Sequence, residues 1–304
     1  MLEELKNENV KFKKMSEEEA IKYLEQNNNY RNICLYKNLF EKYYIDGKYV
    51  NKYIDLDFAY LKDLAIIDFE LRLLLYDIIS DIEHYLKFRI INLITSKDND
   101  VIKKYLNKET KNKYTKNLNK NISIEELLDV LPFGKLIEFY EFFIKFAGIK
   151  EDKKYISLLK EIVTLRNRVY HNNKILANLN ETIDNYVINP DVLDYLRSCK
   201  IDKKTYDTKI SNSTIRQLTY ALYMFNVLVT SEEVKEHINE LLYKLFFERI
   251  VKNSGFYKKN KLLKSTISRA LLQLFCNTTF FVPNCRNSFS TPPASKLQSP
   301  FLQR

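Results

Sequence analysis

Residues 57–95 read DFAYLKDLAIIDFELRLLLYDIISDIEHYLKFRIINLIT, and this stretch decides the fold. Its apolar side chains recur at steps of three and four residues, which is the spacing of one face of an α-helix. They are Leu64, Ile67, Leu71, Leu74, Leu75, Ile78, Ile82, Tyr85, Leu86 and Ile90. No glycine or proline interrupts the run. At about 1.5 Å per residue the pattern predicts either one rod of roughly 60 Å or two helices broken near Asp68.

Further helices are predicted on both sides of this stretch. Capping boxes, in which a Ser or Thr hydroxyl and a Glu three residues later satisfy each other's backbone N–H groups, mark helix starts. The candidates are Ser16/Glu19, Ser123/Glu126 and Thr230/Glu233. Apolar periodicity adds helices at 127–146, punctuated by Pro132 and Gly134, and at 155–172, 214–229 and 231–252.

Two regions are predicted as connections rather than helices. Residues 97–121 are dense in Lys and Asn and are expected to hold one short helix, and a loop is expected around Asn189-Pro190. No stretch alternates strictly at period two for long. The chain is therefore predicted to be an all-α bundle with a long central helical hairpin.

The composition agrees with this class. Only 4 Gly and 6 Pro occur in 304 residues, which argues against turn-dense sandwiches, barrels and glycine-rich nucleotide folds. The apolar share of 45% is sufficient to bury a proper core. We expect an N-terminal helical segment at 1–55, a helical domain at 56–252 and a basic, partly disordered tail at 253–304.

The formal net charge of +10 is located in that tail. Residues 249–304 hold ten basic side chains and no acidic one, which leaves 39 basic and 39 acidic residues in 1–248. The charge is therefore no argument for a basic surface on the folded body. Residues 283–304, with several Pro and Ser, are either an arm that attracts nucleic acid or a solvated appendage.

Metal and membrane sites are not indicated. The four cysteines form no CxxC pair, and His84, His171 and His237 lie far from them in the sequence, so no zinc site, metal or cofactor is expected. The first 15 residues mix charges, and no apolar run approaches the roughly 18 residues that span a bilayer. We expect a soluble, cytoplasmic protein without a membrane anchor.

The informative stretch is 165–172, LRNRVYHN. On a helix Asn167 and His171 lie one turn apart on the same face, and the long side chain of Arg166 can reach the same anion as His171. Arg offers a permanent forked donor to phosphate, and His can move a proton near neutral pH. These are the requirements of metal-free RNA cleavage. The alternative is a surface Arg pair with a His at the helix C-terminus.

Several motifs occur in one order along the chain. They are 29–31 (NYR) followed by Tyr36 and Phe40, 68–72 (DFELR), 82–84 (IEH), 133–136 (FGKL) with Tyr140, and 165–167 (LRN) ending in His171. This ordered set resembles the Abi-like family of bacterial abortive-infection proteins, the AbiD/AbiF group. Those proteins look like members of the HEPN superfamily, whose signature is Arg-x4-6-His. The resemblance covers roughly residues 20–250.

The resemblance implies an all-α, HEPN-type helical bundle and a role in anti-phage defence. It also implies a toxin that cleaves RNA as a metal-independent endoribonuclease, a relationship to the ribonuclease domains of type VI CRISPR effectors, and association with a small non-coding RNA. Arg166 and His171 match the signature, and Asn167 matches the polar residue that follows the Arg. Where many relatives have a small residue or Cys before the His, this chain has Val169 and Tyr170.

Two alternatives to the nuclease stay open. One is a regulatory HEPN protein that binds a small RNA without cutting it, and the other is a structural bundle that binds a protein partner. Because HEPN sites are commonly completed across a dimer and this chain has one such motif, the resemblance also implies a homodimer with a composite active site along the His171 helix.

Other residues are weaker candidates. Glu83 is expected to orient His171 or Arg166, and Lys87 to touch the RNA backbone. The alternative is an ordinary surface ion pair at i and i+4. Arg168 and Arg31 are candidate RNA contacts. The 22 Tyr and 19 Phe residues suggest a stacking surface for single-stranded RNA, but most lie at helical apolar spacing, which favours core packing.

Overall fold

The computed structural model of the chain describes residues 1–94, 99–108, 114, 122–183, 186–199, 201 and 203–265. Its α-helices are α1 Leu2–Asn7, α2 Glu17–Gln26, α3 Tyr30–Cys34, α4 Phe58–Leu93, α5 Asn99–Lys108, α6 Ile124–Val130, α7 Phe133–Phe146, α8 Tyr155–Tyr170, α9 Pro190–Ser198, α10 Lys203–Lys209, α11 Ser213–Leu228, α12 Glu232–Tyr243 and α13 Lys261–Ser265. One hairpin, β1 Lys42–Ile45 and β2 Lys48–Tyr53, is added to them. Short 3₁₀ segments lie at Leu35–Leu39, Glu151–Lys154, Leu176–Asn178 and Ser254–Tyr257, and Lys244–Ile250 form a π-helical turn. The predicted all-α class is confirmed.

The long helix α4 is one continuous rod of 36 residues. The Asp57 carboxylate caps it by accepting from the N–H of Ala59. No break occurs near Asp68, because this carboxylate is satisfied by donors from within the fold and the helical backbone continues past it. Helices α8 and α11 pack on α4 and on each other, so these three helices form the centre of the bundle.

A single hydrophobic core runs through all three of the predicted segments. Leu5 and Tyr36 of the N-terminal segment and Leu263 of the C-terminal segment are fully buried in it. The predicted tail boundary at residue 253 therefore falls too early. Tyr257 and Asn253 both donate to the carboxylate of Asp63 on α4, which ties residues 253–265 to the body. The predicted basic arm at 283–304 lies outside the described residues.

Two of the three predicted capping boxes form, those of Ser16 with Glu19 and of Ser123 with Glu126. The third prediction is wrong by one residue, because the hydroxyl that accepts from the helix belongs to Ser231 and not to Thr230. The loop predicted around Asn189-Pro190 ends at Asn189, and a helix that was not predicted begins directly after it. Asn189 caps α9 and Pro190 occupies its first position, where the missing N–H is not needed.

The hairpin was missed by the sequence analysis. Its turn is formed by Asp46 and Gly47, which have φ angles of +50° and +77°. A two-residue turn of this kind requires positive φ at both positions, and Asp-Gly is a preferred pair for it. The strands pair antiparallel, with Tyr44 opposite Tyr49 and Ile45 opposite Lys48.

Candidate functional site

The predicted motif lies at the C-terminal end of α8. The helix ends at Tyr170, and the N–H of His171 still donates to the carbonyl of Asn167, at 3.0 Å. Asn172 then adopts a φ of +55°, the left-handed conformation that commonly ends a helix and that Asn tolerates. The N–H of Asn173 returns to the carbonyl of Arg168, at 2.9 Å. The chain thus reverses sharply just after His171, which presents this residue at a helix corner.

A buried ion pair on α4 holds this corner in place. The carboxylate of Asp68 is fully buried and accepts from Nε of Arg72 at 3.1 Å and from the backbone N–H of Leu176 at 2.6 Å. Arg72 Nη1 donates to Oδ1 of Asn172 at 2.8 Å. Burial raises the pKa of Asp68, against the opposing effect of these donors. Asp68 and Arg72 of α4 therefore bind the loop 172–176, which follows His171 in the chain.

Arg166 is held by an aromatic stack. Its guanidinium lies 3.8 Å from the ring centroid of Tyr170, and that ring stacks on Tyr76 of α4 at 4.9 Å with 29° between the planes. Among the arginines that the structure describes, all except Arg31 and Arg166 donate a hydrogen bond to a protein acceptor. Arg166 is thus fixed without being neutralised, and its donors have no acceptor within the described chain.

His171 and Asn167 lie on the surface beside this stack. Neither side chain forms a hydrogen bond or an ion pair with another described residue, so the imidazole has both nitrogens available. The guanidinium of Arg166 stacks on Tyr170, the residue directly before His171. Both groups belong to the same end of α8, and their convergence on one anion stays a prediction.

Arg168 has a different environment from Arg166. Its guanidinium donates to Thr214 Oγ1 at 3.0 Å, to Gln217 Oε1 at 3.2 Å and to the carbonyl of Ile175 at 3.2 Å. Burial lowers its pKa. The side chain links α8 to α11, so this arrangement gives no support to the predicted RNA contact by Arg168.

Glu83 and Lys87 form an ion pair at i and i+4, with 3.9 Å between their charged atoms. This is the surface pair that was the alternative to a functional role. Lys87 Nζ also lies 3.8 Å from the Asp129 carboxylate. In the described structure Glu83 has no hydrogen bond or ion pair to Arg166 or His171. Helix α4 runs antiparallel to α8, and Glu83 lies two turns beyond Tyr76, or about 10 Å further from the His171 corner. The α4 side chains that do contact the segment after His171 are Arg72, through Asn172, and Asp68, through the N–H of Leu176.

Lys174 is a further cation that the sequence analysis missed. It follows His171 by three residues and is half-buried, without an ion pair to any described residue. Burial lowers its pKa, and the positive charge of Arg72 acts in the same direction. Arg31 of α3 is exposed and likewise makes no hydrogen bond to a described residue. Both are available to an anion.

An exposed apolar surface borders the site. Phe69, Leu73 and Tyr76 recur along one stripe of α4, and Tyr170 of α8 joins them. These four side chains are between 38% and 53% exposed. A patch of this kind on one side of a possible reaction centre is typical of an interaction surface. We call these four residues the α4/α8 patch.

The described residues contain no group of three or more His, Cys, Asp or Glu side chains arranged to hold a metal ion. Within the same residues, no helix combines the length and the apolar character needed to cross a bilayer.

Comparison with known proteins places the site in a family. A family model described as Abi-like protein matches residues 22–177, a range that includes α4, α8 and the His171 corner. No curated protein and no solved structure matches the chain. The match spans more than half of the 304 residues, and the chain belongs to the Abi-like protein family.

Proposed function

We propose that this protein is an abortive-infection toxin that cleaves RNA as a metal-independent HEPN endoribonuclease. Membership of the Abi-like family suggests a role in abortive infection, that is, in anti-phage defence. The observation that carries the nuclease proposal is the state of Arg166 and His171. Among the described residues, Arg166 has no carboxylate partner and the imidazole of His171 has no hydrogen-bond partner, and both lie at one helix corner.

The reaction needs a proton acceptor, a proton donor and a cation. An imidazole removes the proton from a ribose 2′-OH, the oxygen attacks the adjacent phosphorus, and the bond to the 5′-oxygen breaks as that oxygen takes a proton. The products are a 2′,3′-cyclic phosphate and a 5′-OH. Arg166 stabilises the charge on the phosphate oxygens through its free donors. Asn167, on the same face as His171, holds the substrate by its amide.

A homodimer supplies the second imidazole. The α4/α8 patch adjoins Arg166 through Tyr170, so two copies that bury this patch about a twofold axis bring both His171 corners to one groove. One imidazole then acts as base and the other as acid. This arrangement also shields the apolar side chains of the patch from water.

A second candidate is an RNA-binding regulatory protein that holds a small non-coding RNA without cutting it. The observation that favours it is that Arg166 stacks on Tyr170, and that within the described residues no hydrogen bond joins it to His171. Such a protein would use Arg166 and Lys174 as phosphate contacts and leave the imidazole idle.

One experiment separates these candidates. Labelled single-stranded RNA is incubated in EDTA with wild type, His171→Ala and Arg166→Ala, and with His84→Ala as a matched control, since His84 is an exposed histidine on α4. We expect cleavage by wild type and by His84→Ala. For the other two variants we expect a rate lower by about 10²-fold or more, as for loss of a general acid or base.

The products and the binding complete the assay. Fragments that end in 2′,3′-cyclic phosphate support the mechanism. Binding without cleavage by any variant, in the presence or absence of EDTA, refutes the nuclease and supports the regulatory protein. Equal cleavage by His171→Ala and wild type excludes His171 as the acid or base.

A further inference from the structure

The β-hairpin carries a group of exposed aromatic side chains that the proposed chemistry does not use. Tyr44 and Tyr49 face each other across the two strands, with ring centroids 4.9 Å apart, and are 62% and 73% exposed. The hydroxyl of Tyr44 is tied to the turn by a hydrogen bond of 2.8 Å to the carbonyl of Gly47. The two rings thus form a small, ordered platform that points into solvent.

The same hairpin is rich in lysine. Residues 42–53 contain Lys42, Lys48 and Lys52 against a single acidic side chain, Asp46. Lys48 and Lys52 lie on the opposite face of β2 from Tyr49, are exposed, and form no ion pair with a described residue. Lys42 lies on the tyrosine side, where it donates to Asn51 at 3.0 Å.

The hairpin is fastened to the body through residues 51–53. The backbone N–H of Tyr53 donates to the carbonyl of Glu8 at 2.8 Å, Nδ2 of Asn9 returns to the carbonyl of Tyr53 at 2.9 Å, and Nδ2 of Asn51 donates to the Glu8 carboxylate at 3.0 Å. Beyond these residues, both faces of the ribbon are in contact with water. The contact between the two rings helps to pair the strands, and more than half of each tyrosine side chain stays open to a ligand.

We propose that the hairpin is a binding surface for single-stranded RNA, in which unpaired bases stack on Tyr44 and Tyr49 and the lysines attract the backbone. Aromatic rings on a sheet stack bases of any sequence. Lys42 lies on the same face as the rings, and Lys48 and Lys52, on the other face of the narrow ribbon, complement the polyanion where its backbone passes the edge. A strand added by another protein is disfavoured, because lysines on both exposed edges oppose such pairing. The proposal rests on the proposed action on RNA and adds the place at which the strand is held.

The fold connects this surface to the His171 corner. The 3₁₀ segment Leu35–Leu39 packs against Leu176–Asn178, the segment that Asp68 holds behind His171. Three residues after Leu39 the first strand begins. The hairpin is therefore joined, through residues 35–39, to the segment that follows the His171 corner.

The test measures RNA affinity in a background that does not cut. In His171→Ala protein, the binding of a fluorescein-labelled single-stranded 20-mer of mixed sequence is followed by anisotropy, with and without Tyr44→Ala/Tyr49→Ala. We expect a loss of about tenfold or more in affinity, as for removal of stacking rings. Tyr44→Phe/Tyr49→Phe keeps the rings and should bind like the parent. Tyr243→Ala, which removes a 43% exposed tyrosine of α12, is the matched control.

Two further measurements define the contact. A duplex RNA of the same length has no unpaired bases, so the tyrosine pair should not affect its binding. Lys48→Ala/Lys52→Ala should reduce the slope of log affinity against log salt by about 1.4, since each phosphate contact on a single strand contributes about 0.7. Because all four side chains are exposed, the variants should melt at the temperature of the parent.

The outcomes separate this proposal from the proposed function. If wild type cleaves RNA and the Ala pair binds it as tightly as the parent, the platform is refuted and the nuclease stands. If the Ala pair turns a dimer into a monomer in light scattering, the hairpin is an interface between copies, and the RNA platform is equally refuted. If the parent binds no RNA, both proposals are wrong.

Discussion

Replacing Arg72 with Ala removes the cation that lies between Asp68 and the loop behind His171. Two hydrogen bonds are lost, one of 3.1 Å to the Asp68 carboxylate and one of 2.8 Å to Asn172. The carboxylate is fully buried and retains the N–H of Leu176 as a donor. Removing one partner of a buried ion pair costs about 3–5 kcal/mol of the free energy of unfolding. We expect a loss in this range at pH 7.

The pH dependence of this loss follows from the carboxylate. The pKa of Asp68 is already raised by burial, and without Arg72 it should rise further. A carboxyl whose pKa is raised in the folded state contributes its full share of stability below the pKa of the unfolded chain and loses it as pH rises through the folded pKa. The cost of Arg72→Ala should therefore be smallest near pH 4 and increase towards pH 7.

Urea unfolding followed by circular dichroism measures the free energy of unfolding, and a double-mutant cycle with Asp68→Asn isolates the pair. The double variant leaves no buried charge and should recover part of the loss. Among molecules that remain folded, RNA cleavage should fall through kcat because the His171 corner is no longer held. A loss under 1 kcal/mol that does not change between pH 5 and pH 7 would refute the reasoning.

Three further changes probe other parts of the fold. Burial alone would raise the pKa of Asp152, but the hydrogen bonds it accepts, among them two from Arg89 at 2.6 and 2.8 Å, hold that pKa below its usual range. Asp152→Asn should thus lower the free energy of unfolding by about 2–3 kcal/mol at pH 7. The difference in this free energy between variant and wild type should vanish as pH falls through the folded pKa of Asp152. Urea unfolding at several pH values measures it. Arg168→Met should lower the free energy of unfolding by about 2–3 kcal/mol, because three hydrogen bonds are lost. The RNA affinity of the folded protein should not change. A tenfold loss of affinity would instead show that Arg168 contacts the RNA. Leu73→Asp, in the α4/α8 patch, should give a monomer in light scattering that does not cleave RNA. Phe88→Asp changes an equally exposed residue of the same helix and should stay dimeric. A monomer that still cleaves RNA would exclude the composite site.

The parts of the fold that were predictable from the sequence depend on local patterns. Helix α4 follows from apolar steps of three and four without a breaker, and tertiary packing only extends that preference. The hairpin was hidden for a physical reason. Both faces of its strands are exposed, so no period-two apolar pattern marks it, and only the Asp46-Gly47 pair signals the turn.

The candidate site also has a local part that the sequence predicts and a long-range part that it does not. Arg166 and His171 lie five residues apart, so a local motif together with the ordered family motifs was enough to predict them as a site. The pair that holds their corner joins Arg72 to Asn172 across 100 positions, and no local pattern encodes a contact of that length. The RNA contact predicted for Arg168 stays a prediction, and helix geometry already separates this residue from Arg166. Two residues along a helix turn the side chain by about 200°, so Arg166 and Arg168 point to opposite sides and cannot share one ligand.

The stack on Arg166 gives a role to the bulky residue that directly precedes His171. That residue is Tyr170. Its ring lies between the guanidinium of Arg166 and the ring of Tyr76. The arginine is therefore held by a cation–π interaction and not by an ion pair with a carboxylate. A carboxylate in contact would cancel most of the charge that a phosphate must meet, whereas a ring leaves that charge and all the donors in place. Tyr170 is therefore compatible with the proposed chemistry. Because it also belongs to the α4/α8 patch, this patch directly adjoins Arg166.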